Sequence, residues 1–131
     1  MNKKGTVCID LDGTLAKYEG WQGKYHIGEP ISGAKEFVEK VAKLAKIIIY
    51  TCRLNYEFND LDTNAKREEI KGYIETWLKK HEIPFDEIFC GQGKPVAEAY
   101  IDDRGVRCDP QNAHNPQSRY NVAFKQLERL L

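Results

Sequence analysis

The chain has 131 residues, 41% hydrophobic and 31% charged, the balance of an ordinary soluble globular protein rather than a disordered one. Its length suits a single domain, residues 1–131, and leaves no room for two full ones. Basic and acidic residues stand at 20 each, so no global field recruits nucleic acid or an anionic membrane.

The four cysteines, Cys8, Cys52, Cys90 and Cys108, are far apart and form neither a CxxC pair nor a zinc-like Cys/His spacing. They read as reduced thiols of a cytoplasmic protein. Cys8, Cys52 and Cys90 lie in or just after apolar runs, where cysteine acts as a small buried hydrophobe. The apolar run after Lys3 and Lys4 is only Val7–Ile9, too short for a signal peptide. No stretch approaches the roughly 20 apolar residues of a membrane span.

Gly5 to Asp10 predicts a short buried strand that stops at Asp-Leu-Asp-Gly-Thr, where Asp and Gly turn the chain. Residues 16–31 follow as a loop or small hairpin, rich in glycine and proline and carrying Tyr18, Trp21 and Tyr25. Ala34 to Ala45 predicts a helix with Ala34, Phe37, Val38, Val41 and Ala42 on one face and Ser32 as its N-cap. Lys46 to Tyr50 is an unbroken apolar strand of the kind covered on both faces in a parallel sheet. Arg53 to Asn64 is polar and reads as a loop. Lys66 to His81 predicts a second helix with Ile70, Tyr73, Ile74, Trp77 and Leu78 facing the core.

Further on, Glu87 to Cys90 and Ala99 to Asp102 are short strands, Gly91 to Pro95 is a glycine-rich turn, and Val106 to Cys108 reads as a fifth strand. Residues 109–117 form a loop. The last helix occupies about 116–131, with Tyr120, Ala123, Phe124, Leu127, Leu130 and Leu131 on its apolar side, expected to pack on the sheet. Alternating strands and helices predict an α/β, three-layer, Rossmann-like fold with a mainly parallel sheet of about five strands.

In such sheets ligands bind beyond the carboxyl ends of the strands. Those ends carry Asp10, Asp12 and Thr14, then Thr51 and Arg53, then Lys94, then Asp102 and Asp103. Two acidic pairs on one rim repel unless a cation sits between them. Carboxylate oxygens with room for water suit Mg2+. A lysine and a threonine beside them suit a phosphoryl group.

Asp10-Leu-Asp-Gly-Thr-Leu, Thr51 after Ile47-Ile-Ile-Tyr, Lys94-Pro95, and Tyr100-Ile-Asp-Asp resemble, in order, the four motifs of the haloacid dehalogenase (HAD) superfamily. The resemblance runs from about residue 5 to about residue 108. It implies a phosphomonoester hydrolase in which Asp10 is the nucleophile and forms an aspartyl-phosphate, with Asp12 as general acid and base. It places phosphate oxygens on Thr51 and Lys94. Magnesium falls to Asp10, the backbone carbonyl of Asp12, and Asp102, with Asp103 binding directly or through water.

The same family often inserts a cap domain, and residues 16–31 are too few for one. A capless site implies a large or exposed phosphorylated substrate, or a homo-oligomer whose neighbouring subunit covers the site. In residues 16–31 the aromatics Trp21 and Tyr25 offer a stacking surface for a flap, or else anchor their own loop. Arg53 has two readings, a contact to substrate phosphate or a salt bridge to a nearby aspartate. Thr14 is a further substrate-side candidate. A nucleic-acid end as substrate finds no support in the zero net charge. A phosphotransferase, or a non-catalytic phosphate- or metal-binding regulatory module, are the alternative functions.

Overall fold

Four short strands, all parallel, form the centre of the computed structural model, which describes residues 3, 5–54, 64–90 and 93–131. The strands are β1 (Thr6–Asp10), β2 (Lys46–Tyr50), β3 (Glu87–Ile88) and β4 (Ala99–Ile101), in the spatial order β3-β2-β1-β4. The helices are α1 (Ala34–Ala42), α2 (Asn64–Lys80) and α3 (Pro116–Leu130). Short 3-10 turns occupy Cys52–Leu54 and Pro110–Asn112. The protein is therefore α/β with a parallel sheet.

The register explains where the strand ends meet. Thr6 pairs with Lys46 and Asp10 with Tyr50, while Val7 pairs with Ala99 and Ile9 with Ile101. Parallel strands in this alignment finish together, so Asp10, Thr51 and Asp102 leave the sheet at one edge. β3 adds to the outside of β2 through Ile48 and Ile49. The Asp86 carboxylate supports that edge by accepting the Ile47 N–H at 2.8 Å.

Alternation along the strands sends Ile9, Ile47 and Ile49 to one face, where they join Ala34 and Val38 of α1 and Ile70, Ile74, Trp77 and Leu78 of α2 in a single apolar cluster. Cys8 and Ile48 are also buried but lie outside that cluster, as residues on the opposite face should. The helical spacing thus identified the faces of α1 and α2 well, except that Phe37 and Tyr73 are exposed. Leu11 and Leu15 plug the cluster from the turn that follows β1.

Several boundaries and packings differ from expectation. α1 ends at Ala42, and its N-cap is Gly33 rather than Ser32. Gly33 has φ 91°, a left-handed conformation that glycine adopts without the Cβ penalty. Val106 to Cys108 is not a strand, and the sheet has four strands among the described residues. The segment leaves the Asp102–Gly105 bend with Arg107 and Cys108 exposed, and three residues can gain little from a ladder. α3 does not bury its apolar side: none of its residues is buried, and Tyr120, Phe124 and Leu130 are exposed. Apolar periodicity says which face is greasy, not what covers it. Of the loop expected over Arg53 to Asn64, Arg53 and Leu54 lie in a 3-10 turn and Asn64 begins α2, while residues 55–63, like residues 91–92 of the glycine-rich turn, lie outside the described residues. No helix among the described residues is long and apolar enough to cross a membrane.

Residues 16–31 form a hairpin-like loop with a closed neck. Lys17 N–H donates to Glu29 at 2.8 Å, and Ile31 N–H to Leu15 at 2.8 Å. Trp77 of α2 donates its indole N–H to the Gly28 carbonyl at 3.0 Å. A Cβ on Gly28 would fall on the Lys17 carbonyl oxygen. Gly28→Ala is therefore expected to pry the neck open and cost about 1–3 kcal/mol, read as a lowered urea midpoint. An unchanged midpoint would mean that the neck relaxes freely.

Candidate functional site

The turn after β1 is built to deliver carboxylates. Leu15 and Ala16 N–H both donate to the Leu11 carbonyl at 2.9 Å, and Gly13 N–H donates to Ala16 at 2.8 Å. The chain thereby curls tightly and turns Asp10 and Asp12 towards the sheet edge. Gly13 has φ 85°, and a Cβ there would fall on the Asp103 carboxylate. Glycine at this position meets two demands at once, the left-handed turn and the close approach of Asp103. The Thr14 hydroxyl oxygen is buried and has no hydrogen-bond partner among the described residues. It does not line the clefts described below.

Asp10, Asp102 and Asp103 come together, each offering an oxygen within 4.8 Å of the others. Asp102 is held at both oxygens. The Tyr50 hydroxyl donates to one at 2.9 Å, and the Arg104 N–H donates to the other at 2.7 Å. Tyr50 was not foreseen as part of the site. Its place was nevertheless implied by the sequence, since it ends the strand beside Asp10. Burial, followed by the hydrogen bond to Asp102 and its charge, pushes the Tyr50 phenol well above its ordinary value, so it stays a donor.

Burial pushes the Asp10 carboxyl up to about 7, helped by the negative charge of Asp102 and, less, of Asp103 and Asp12. The Leu11 backbone N–H opposes this. The donor set fits a hard divalent cation. It offers only carboxylate oxygens, two of the three groups are exposed and leave room for water, and the most buried one resists ionising without a counter-charge.

The shift has a testable consequence. The folded protein holds the Asp10 proton up to about pH 7, whereas an unfolded aspartate releases it near about pH 4. The native state therefore binds more protons between these values. Stability from this group is full at the acid end and is lost as pH rises through about 7. A divalent cation held by these carboxylates would supply the missing charge, and the effect of added magnesium on the melting temperature would then be larger at about pH 8 than at about pH 5.5. Thermal melts with magnesium or EDTA would check this, and an equal shift at both values would contradict it.

Asp12 takes a different partner. Its two oxygens accept Nε and Nη2 of Arg53 at 2.6 and 2.9 Å. The Arg53 side chain is 3% exposed, so this is a buried, bidentate ion pair. The Arg53 backbone N–H also donates to the Thr51 hydroxyl at 3.2 Å. The salt bridge expected of Arg53 with a nearby aspartate is present.

The carboxylates open into a cleft of about 270 Å³ walled by Tyr18, Trp21, Tyr50, Cys52 and Arg104. Cys52 is exposed there rather than buried as expected, because the strand has ended and a 3-10 turn over Cys52–Leu54 buries Arg53 and Leu54 instead. A second cleft of about 400 Å³ lies under residues 17–29 and shares Asp12, Tyr18 and Arg53 with the first. Trp21 is thus at the site, with the Arg53 guanidinium 5.1 Å from its ring. Tyr25 is not, since its ring packs on Tyr73 of α2 at 4.8 Å, where it anchors the loop. Lys94 also stands apart. Its ammonium lies 4.0 Å over the Tyr100 ring, in a neighbouring cleft that touches the carboxylate site through Tyr50 and Asp102.

No protein-family model matches the chain, and no curated protein matches it. Among solved structures, the crystal structure of a structural-genomics target from Vibrio cholerae is similar, with 27% identity and a TM-score of 0.54. The match covers 94% of this chain and 99% of that one, so the same α/β framework extends over nearly the whole of both.

Proposed function

We propose that the chain is a capless, Rossmann-like member of the HAD superfamily and a magnesium-dependent phosphomonoester hydrolase. The observation that carries this reading is the meeting of Asp10, Asp102 and Asp103 beyond two adjacent parallel strands, with Asp12 beside them. Magnesium bound by the three carboxylates would offset their charge beside an incoming phosphoryl group.

Asp10 attacks phosphorus, forming an Asp10 Oδ–P bond as the bond to the leaving oxygen breaks. Asp12 gives a proton to that oxygen. It then takes one from the water that frees Asp10 as a carboxylate and releases inorganic phosphate. Each Asp12 oxygen has a second lone-pair direction beyond the one that Arg53 occupies, so the ion pair leaves room for this proton. The Thr51 hydroxyl is at the right strand end to meet a phosphate oxygen. Lys94 reaches one only by leaving the Tyr100 ring, which its flexible stem allows. The small cleft suits the phosphorylated end of a larger, exposed substrate, because a drug-sized ligand fills roughly 300–1,000 Å³.

Phosphate release from sugar phosphates, nucleotides, phosphopeptides and phosphorylated oligonucleotides tests the proposal. Activity that needs magnesium and disappears with EDTA is expected. A folded, magnesium-binding protein that releases nothing from the whole panel would instead favour the regulatory-module alternative.

A further inference from the structure

Arg53 is 2% exposed, and two sets of its contacts bear on the site. On one side its fork grips both oxygens of Asp12. On the other its Nη1 donates to the backbone carbonyls of Gly23 at 3.4 Å and Lys24 at 3.2 Å, and its plane lies near the Trp21 ring. Those three residues belong to the outer part of the loop over residues 16–31. The neck, the Trp77 bond and the Tyr25–Tyr73 contact fix the loop at its base and flank. Among the described residues, Arg53 fastens its outer part to Asp12.

A guanidinium is suited to this bridging. It is planar, stays charged, and has five donors in a rigid fork, enough to serve a carboxylate and two carbonyls together. A lysine has the charge but not the fork. A phosphate-binding arginine, by contrast, should leave part of its fork open to the cleft, and Arg53 spends Nε, Nη1 and Nη2 on protein acceptors.

We propose that Arg53 is a positioning residue that couples the loop to Asp12, so that the loop is seated and the Asp12 carboxyl is aimed as one event. This rests on the phosphatase reading above. A displaced loop would carry Trp21, Gly23 and Lys24 away from the guanidinium and loosen its hold on Asp12. A substrate that seats the loop would align Asp12 with the leaving oxygen.

The test compares wild type with Arg53→Lys and Arg53→Gln on two esters. Glycerol phosphate has a poor leaving group that needs a proton, and p-nitrophenyl phosphate has a good one that hardly does. Both variants are expected to lose on the order of 10²-fold more kcat on glycerol phosphate than on p-nitrophenyl phosphate. Inhibition by inorganic phosphate should stay within about threefold of wild type, a small change on the scale of a lost charged contact. Trypsin should cleave at Lys24 faster in both variants, with Trp21 fluorescence altered. Arg53→Lys, which keeps the charge, guards against loss of folding.

Equal losses on both esters with weakened phosphate inhibition would overturn the coupling and make Arg53 a phosphate ligand. Unchanged cleavage at Lys24 would also overturn it. A wild type inert on both esters would sink the phosphatase reading itself, and the coupling to Asp12 with it.

Discussion

Asp10→Asn is expected to lower magnesium-dependent phosphate release by on the order of 10³-fold or more, equivalent to at least about 4 kcal/mol of transition-state stabilisation. Asn is close to Asp in shape but is a far poorer nucleophile. The same substitution should act in the opposite direction on stability. Without metal at about pH 8, Asp10 is forced to ionise although burial and the charge of Asp102 hold its carboxyl up to about 7. Asparagine removes that charge, so the metal-free variant should melt higher than wild type, and the advantage should vanish at acid pH. Turnover and EDTA-treated melts on one preparation check both halves. A variant that keeps most of its activity would place the reaction elsewhere, and one that melts lower at about pH 8 would mean that Asp10 ionises there without penalty.

Asp12→Ala carries the second large effect. It takes from the Arg53 guanidinium, whose side chain is 3% exposed, the carboxylate that accepts from Nε and Nη2. The Gly23 and Lys24 carbonyls still accept from it. Two charge-assisted hydrogen bonds of a largely buried guanidinium are lost at once, so a loss of about 3 kcal/mol is expected. In a chain of this length that lowers the melting temperature by about 10 °C. Asp12→Asn should cost less, because its amide oxygen still accepts from the fork. Asp12→Ala combined with Arg53→Met should be more stable than the sum of the single losses, since both substitutions remove the same pair. Denaturant melts of the four variants would settle it. A loss under about 1 kcal/mol for Asp12→Ala would mean that water reaches the pair.

These two effects also separate the roles of neighbouring aspartates. Asp10 and Asp12 are two residues apart, yet they meet different partners. Asp10 faces other carboxylates and resists its own charge. Asp12 is paired with a buried arginine.

Sequence by itself determined the framework and the rim. β1 and β2 were legible because unbroken β-branched runs suit a strand with neighbours on both sides. The faces of α1 and α2 followed from three-and-four spacing, since burial on one side needs nothing more than that period. Asp10, Asp102 and Asp103 were marked out together because parallel strands must end at a common edge, and each follows an apolar strand.

Tertiary structure alone decided the partners. Whether Arg53 meets a phosphate or Asp12, and whether Trp21 or Tyr25 reaches the cleft, depends on how the loop over residues 16–31 folds back on α2, and a loop has no period to read. Tyr50 joined the site through its lateral neighbour Asp102, a contact between residues 52 positions apart. The missing fifth strand and the bare face of α3 have the same origin. Strand pairing and burial are properties of what lies alongside a segment, and local sequence specifies the segment without specifying its neighbour.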